Sequence, residues 1–181
     1  SVANLSRIVA DPVMGTGRLH GLVRGGLYDW KLTGAVAVDR VSAGGLTLAR
    51  ITGPVEMAGR KGEVQVQAKL AGAGGTGRGV AAGLIGASPR AEVSLTRLAD
   101  GRLLIKSLDA TGRAVSVKAS GSRGLLGDLN FHGELRLSDL AVARPGAGGK
   151  LDARWTAIQS SAAKPWLFTV DGRGDGFRTG L

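Results

Sequence analysis

Polar and apolar residues alternate one by one through much of the chain. In the stretch from Lys61 to Leu70, Glu63, Gln65, Gln67 and Lys69 are polar, while Val64, Val66, Ala68 and Leu70 are apolar. An extended backbone sends successive side chains to opposite faces of a sheet, so this spacing predicts a half-buried strand with one oily side. The same period predicts strands at 17–24, 30–40, 45–58, 62–71, 91–97, 102–110, 114–120, 128–138, 150–157 and 166–173. Turn formers separate them: Gly25-Gly26, Gly44-Gly45, Arg60-Lys61-Gly62, Asp100-Gly101, the run from Gly121 to Gly127, and Pro145 to Gly149.

Helical periodicity is nearly absent. Val80 to Ile85 reads as a helix of about two turns, bounded by glycines and by Pro89, and Ser160 to Lys164 is a second short candidate stopped by Pro165. Crossover helices between parallel strands are therefore not expected. The fold class is all-β.

Four predicted strands share a frame of apolar, any, glycine, any, apolar: Leu19 to Val23, Leu32 to Val36, Ile51 to Val55 and Phe131 to Leu135. Alternation places each central glycine, Gly21, Gly34, Gly53 and Gly133, on the same face as its two apolar neighbours. Glycine within a strand costs about 0.5 to 1 kcal/mol relative to alanine, so its repetition needs a cause. One cause is structural, because glycine lets a sheet bend or two backbones approach closely. The other is functional, in which the notches line up into a trough for a foreign apolar chain.

Composition sharpens this picture. Hydrophobic residues make up 43% of the 181, yet aromatics only 4%, while glycine numbers 31. Bulky core fillers are scarce, so a sealed spherical interior is not expected. Ten strands at about 4.8 Å spacing and about 8 residues each give a ribbon roughly 48 Å long and 26 Å wide. We expect residues 1–181 to form one unit, an elongated curved sheet folded into an open apolar groove, solenoid-like and longer in one direction. The groove lining is expected from Leu19, Gly21, Val23, Leu32, Gly34, Val36, Val38, Ile51, Gly53, Val55, Met57, Val64, Val66 and Leu70 in the first half, and from Leu129, Phe131, Gly133, Leu135 and Leu137 in the second.

The net charge of +10 and a pI of about 11.0 point to an anionic neighbour. Arginines such as Arg18, Arg24, Arg78, Arg90, Arg136 and Arg173 are scattered, and the few aromatics are not interleaved with them. A base-stacking platform needs that interleaving, so no nucleic-acid partner is expected. No apolar run reaches about 18 residues, the chain has no cysteine, and its start, Ser1-Val2-Ala3-Asn4, reads as a fragment of a longer protein.

Chemistry-bearing motifs are weak. Gly72-Ala73-Gly74-Gly75-Thr76-Gly77 satisfies the dinucleotide pattern, but Gly79, Gly83 and Gly86 interrupt the helix it requires, so it reads as a flexible turn. Arg173-Gly174-Asp175 reads as a turn as well, without the carboxylates a calcium loop needs. His20 and His132 take the outward offset of two repeats and lack a third ligand, so no metal is expected. Asn4-Leu5-Ser6 matches the glycosylation acceptor at chance level. With no G-x-S-x-G, no cysteine nucleophile and no paired carboxylates in a cleft-like context, neither catalytic residues nor a cofactor are expected.

The stretch from Gly15 to Gly59, with Pro89 to Gly112 and Gly124 to Leu140, resembles the C-terminal region of the translocation and assembly module TamB family, within the AsmA-like superfamily. That resemblance implies a β-taco with an apolar lining. It further implies a periplasmic segment of a protein anchored in the inner membrane of a Gram-negative bacterium. The family is associated with moving phospholipids between the two membranes and with assembling outer-membrane β-barrels or autotransporters alongside a barrel partner, TamA. No catalytic residues come with it. The family's N-terminal membrane helix has no counterpart here, nor does its extreme C-terminus, so anchoring and barrel docking are not assigned to this segment. Two functions follow as expectations: a conduit whose lining holds phospholipid acyl chains, and a scaffold that captures barrel strands by β-augmentation.

Overall fold

The computed structural model describes residues 14–178 except 44, 143–145, 147 and 162. The first four residues and the Asn4-Leu5-Ser6 motif lie outside the described residues, as do Gly44, Pro145 and Ala147 of the expected turns.

All ten predicted strands are present, joined in one antiparallel sheet whose spatial order follows the chain. They are β1 (Met14–Gly26), β2 (Asp29–Ala43), β3 (Leu46–Arg60), β4 (Glu63–Gly77), β5 (Arg90–Arg97), β6 (Leu103–Thr111), β7 (Val115–Arg123), β8 (Leu129–Leu137), β9 (Gly148–Gln159) and β10 (Leu167–Arg178). The sheet is not closed into a barrel, because among the described residues β1 and β10 each pair on one side only. A meander of this kind follows from short connections: each strand leaves its oily side on the face its predecessor used.

Helix α1 (Val80–Ile85) lies in the connection from β4 to β5, where its periodicity placed it. The Ser160 to Lys164 expectation fails: the described residues there form bends and one turn, with the Lys164 amide donating to the Ser161 carbonyl at 3.0 Å. Pro165, only five residues past Ser160, leaves too little length for a helix to nucleate.

The first four strands are longer than expected, at 13 to 15 residues. Their width reaches roughly 43 to 50 Å at 3.3 Å per residue. The glycine run from Gly72 to Gly77 is not a turn but the end of β4. Its amides at Gly72 and Gly75 donate to the carbonyls of Pro89 and Ala87. Backbone groups engaged in that way cannot cradle a phosphate. Arg173-Gly174-Asp175 is likewise not a turn: it lies within β10, opposite Asp152, Leu151 and Lys150 of β9.

Among the described residues no large side chain is fully buried, and the buried apolar residues are six: Leu46, Leu48, Val55, Ala114, Ala153 and Ala157. The chain presents 12213 Å² of accessible surface, against about 8200 Å² expected for a compact protein of 18.4 kDa. The fold is a single layer that conceals its oily side only in part.

Candidate functional site

Partners opposite one another in an antiparallel ladder project to the same face, so the register decides which residues share a surface. One row runs without a break across the whole sheet. Val23 faces Leu32, Leu32 faces Met57, Met57 faces Val66 and Val66 faces Leu95. Leu95 faces Ile105, Ile105 faces Gly121, Gly121 faces Phe131, Phe131 faces Ala157 and Ala157 faces Phe168. The adjoining row is Gly21, Gly34, Val55, Ala68, Val93, Leu108, Ala119, Gly133, Trp155 and Val170.

Every residue expected in the lining falls on this one face. Leu19, Val36 and Gly53 follow in the next row, with Val38 opposite Ile51, Gly59 opposite Val64, and Leu70 two positions from Ala68. Leu129, Leu135 and Leu137 belong to the same side through Gln159, Ala153 and Leu151. Apolar side chains of β2 to β9 on this face are half-buried or buried, whereas Leu19 and Val23 on β1 and Phe168 and Val170 on β10 are 53 to 61% exposed.

Alternation skips a beat where β2, β3 and β4 cross a shared line. Arg40 and Gly74 have left-handed backbone, with φ of 54° and 65°, and Ala49 and Arg50 are exposed in succession. The skip keeps Val41 with Val38, and Leu48 with Gly72, on the apolar side: a Cβ on Gly15 would touch both valines, and one on Gly72 would lie 3.3 Å from Leu48 Cδ1. A second skip occurs at Lys106 and Ser107 of β6, where the register to β5 and β7 shifts. Bulges of this type bend a sheet and increase its twist, which supplies curvature without losing the oily face.

The glycine notches have the structural cause. A Cβ on Gly53 would strike the carbonyl oxygen of Lys69 on β4, and one on Gly133 the carbonyl oxygen of Lys118 on β7. The neighbouring backbone already occupies the notch, so these glycines do not line up into a continuous trough. Gly21 and Gly34 abut, but Val55 follows them in the row and Gly53 lies in the row beside it.

Helix α1 covers one end of the apolar face, since a Cβ on Gly77 would lie 3.0 Å from that of Ala82. The carbonyls of Leu84 and Ile85 accept from the amides of Ala114 and Arg113, which anchors the helix across the turn between β6 and β7. A 3-10 turn, Leu140–Val142, packs beside α1 and β9, and no other element among the described residues lies against the sheet.

The lining also includes residues that the glycine frame did not select: Val93, Leu95, Leu108, Val117, Leu151 and Trp155. Their signal was plain alternation, as in Ala91-Glu92-Val93-Ser94-Leu95. Near the β10 edge the rings of Trp155 and Phe168 stack with centroids 5.9 Å apart.

The opposite face is charged and laddered. Lys69 pairs with Glu92, Arg136 with Asp152, Arg154 with Glu134, Lys118 with Asp109, and Arg50 with Asp39 across neighbouring strands. All are well exposed, so each contributes little to stability. His132 Nε2 lies 2.8 Å from Ser120 Oγ on this face. A recess of about 560 Å³ on the charged side, beside Lys118, Glu134, Arg136 and Asp171, is crossed by these pairs. The apolar side is thus an open surface rather than a closed pocket. No protein-family model, curated protein or solved structure matches the chain.

Proposed function

We propose that the chain is a lipid-binding conduit segment, part of a bridge-like protein that moves phospholipids between the inner and outer membranes of a Gram-negative bacterium. The observation that carries this reading is the apolar face that continues over ten strands and, among the described residues, is covered by a helix at one end only. Acyl chains lie along that face, and each buried methylene contributes about 0.8 kcal/mol, so half-immersing one chain retains a lipid without a shaped pocket. Small and aliphatic lining residues offer no polar group to fix a cargo in place, which suits sliding. In this reading the parent protein is periplasmic and anchored in the inner membrane, as in the TamB family, and its barrel partner, TamA-like, is met by other parts of the chain. No chemical step is assigned.

The test is mass spectrometry of purified protein. Wild type carries phospholipid, and Val66→Asp or Val36→Asp lowers the lipid content several-fold while the far-ultraviolet circular dichroism stays unchanged. Lipid-free wild type, together with no photo-crosslinking to lipid from either position, overturns the reading.

A second reading, a scaffold for outer-membrane β-barrel or autotransporter assembly, is favoured by the two one-sided strands. β1 and β10 are 13 and 12 residues long, and among the described residues each pairs with a single neighbour. An edge of that length is a template for strand addition. Proline within β10 then abolishes client capture, whereas charges on the apolar face matter less.

A further inference from the structure

The meander has two long rims, each a row of strand ends. One rim collects the turns β1–β2, β3–β4, β5–β6, β7–β8 and β9–β10. These turns adjoin: the Lys61 amide donates to the Tyr28 carbonyl at 3.0 Å, Gly62 lies against Ala99, and Gly101 against Leu125. Apolar side chains point to solvent there, with Leu27 91%, Tyr28 81%, Leu125 65% and Leu126 82% exposed. The other rim carries one exposed large hydrophobic residue among the described ones, Val80.

The charged face breaks its own pattern at the same rim. Leu104, Ile158 and Leu167 are exposed on that face, within two residues of the ends of β6, β9 and β10. The rim is therefore oily on both sides of the sheet. Between its two apolar tips, Leu27-Tyr28 and Leu125-Leu126, lie six strand spacings, or about 29 Å along the sheet.

Cations fill that interval and its flanks. Arg24, Arg60, Lys61, Arg97, Arg123 and Lys164 form no ion pair among the described residues. The acids of this rim are Asp29, Glu63, Asp100 and Asp128, and Asp100 is held by Arg102. Exposed leucines and an amphipathic tyrosine set among unpaired cations match the layering of an anionic bilayer, where acyl chains lie below phosphate.

We propose that this rim docks on an anionic phospholipid surface, with Leu27, Tyr28, Leu125 and Leu126 inserted and the basic residues against the headgroups. Docking by the rim does not rest on the apolar face holding lipid. Cations near such a surface raise partitioning roughly fivefold each, so charge and insertion act together.

The experiment is co-sedimentation with vesicles of phosphatidylcholine containing about one third phosphatidylglycerol, and with phosphatidylcholine alone. Wild type binds the anionic vesicles at least tenfold better, and 0.5 M NaCl releases it. Leu125→Ser with Leu126→Ser, both in an exposed turn, lowers binding at least tenfold, as does Arg60→Glu with Arg97→Glu. Val80→Ser on the opposite rim leaves it unchanged, and circular dichroism verifies each fold. Val66→Asp keeps vesicle binding even where it loses co-purified lipid, which separates this proposal from the conduit. Equal binding by the rim variants, no preference for anionic vesicles, or a dimer in sedimentation that the serine pair dissolves overturns the proposal.

Discussion

Gly21 and Gly34 face each other directly across the β1–β2 ladder, and a Cβ built on Gly34 would lie 2.8 Å from the Cα of Gly21. The obstacle is backbone, which cannot rotate away as a side chain does. Gly34→Ala therefore forces the strands apart and destabilises the fold by about 2 kcal/mol, against a gain of under 1 kcal/mol from lost unfolded-state freedom. Gly17→Ala is the control: its Cβ would meet nothing nearer than Val38 Cγ2 at 3.9 Å. Urea denaturation of the two variants should give opposite signs.

Thr96 is 2% exposed, and its hydroxyl has no hydrogen-bond partner among the described residues. It sits on β5 opposite Gln65 and Leu104. A buried hydroxyl without a partner costs about 1 to 3 kcal/mol, and valine has nearly the same shape. Thr96→Val should raise the melting temperature by roughly 2 to 4 °C for a domain of this size. A lower melting temperature would mean that the hydroxyl is satisfied in solution.

The strands were legible because alternation is a local signal that survives in each of them. Their ends were not, where glycine dominates: Gly72 to Gly77 and Gly172 to Gly176 have turn composition, yet pairing with β3 and β9 keeps them in the strands, with only Gly74 and Gly176 turned to left-handed backbone. The skipped beat at Arg40, Ala49 and Gly74 was hidden too. A two-residue period counted over a whole strand averages out one extra residue, and what restores the face is a row of three strands side by side. The residues named for the lining share one face by register, and that face extends beyond them. Selecting strands by a central glycine favoured β1, β2, β3 and β8, whereas Leu95, Ile105 and Trp155 belong to the same surface through register alone. That glycine marks backbone contact instead of an open notch is a property of strand pairing, and no single strand contains it.

Asp100 titrates below the ordinary aspartate range because the Arg102 amide donates to Oδ1 at 3.0 Å, with the Arg102 guanidinium on Oδ2 at 2.7 Å. A depressed carboxyl pKa adds stability that is present above the unfolded value of about 3.9 and is lost as pH falls through the lower folded value. Wild type and Asp100→Asn should therefore differ in melting temperature at pH 6 and converge in acid below both values. The difference is small, since the Asp100 side chain is 44% exposed and solvent screens the pair. Carboxyl-carbon NMR titration of the wild type should place Asp100 below the ordinary aspartate value.

An open apolar face and a shaped pocket respond differently to the length of a guest. In a pocket, affinity rises with each added methylene until the end wall is met and then falls. On a face that spans ten strands there is no wall at the scale of one acyl chain, save where α1 covers one end. Full burial of a methylene, at about 0.8 kcal/mol, corresponds to roughly fourfold in affinity, and half-burial to twofold. Fluorescence displacement with saturated fatty acids of 10 to 18 carbons should accordingly show a steady gain of about twofold per methylene without a plateau. Val66→Asp places a charge in the middle of the row between Met57 and Leu95. It should flatten that slope, because chains long enough to cross the row gain nothing from the carbons beyond it. A plateau at one length in the wild type would show a bounded cavity, and no dependence on length would remove acyl chains as the guest.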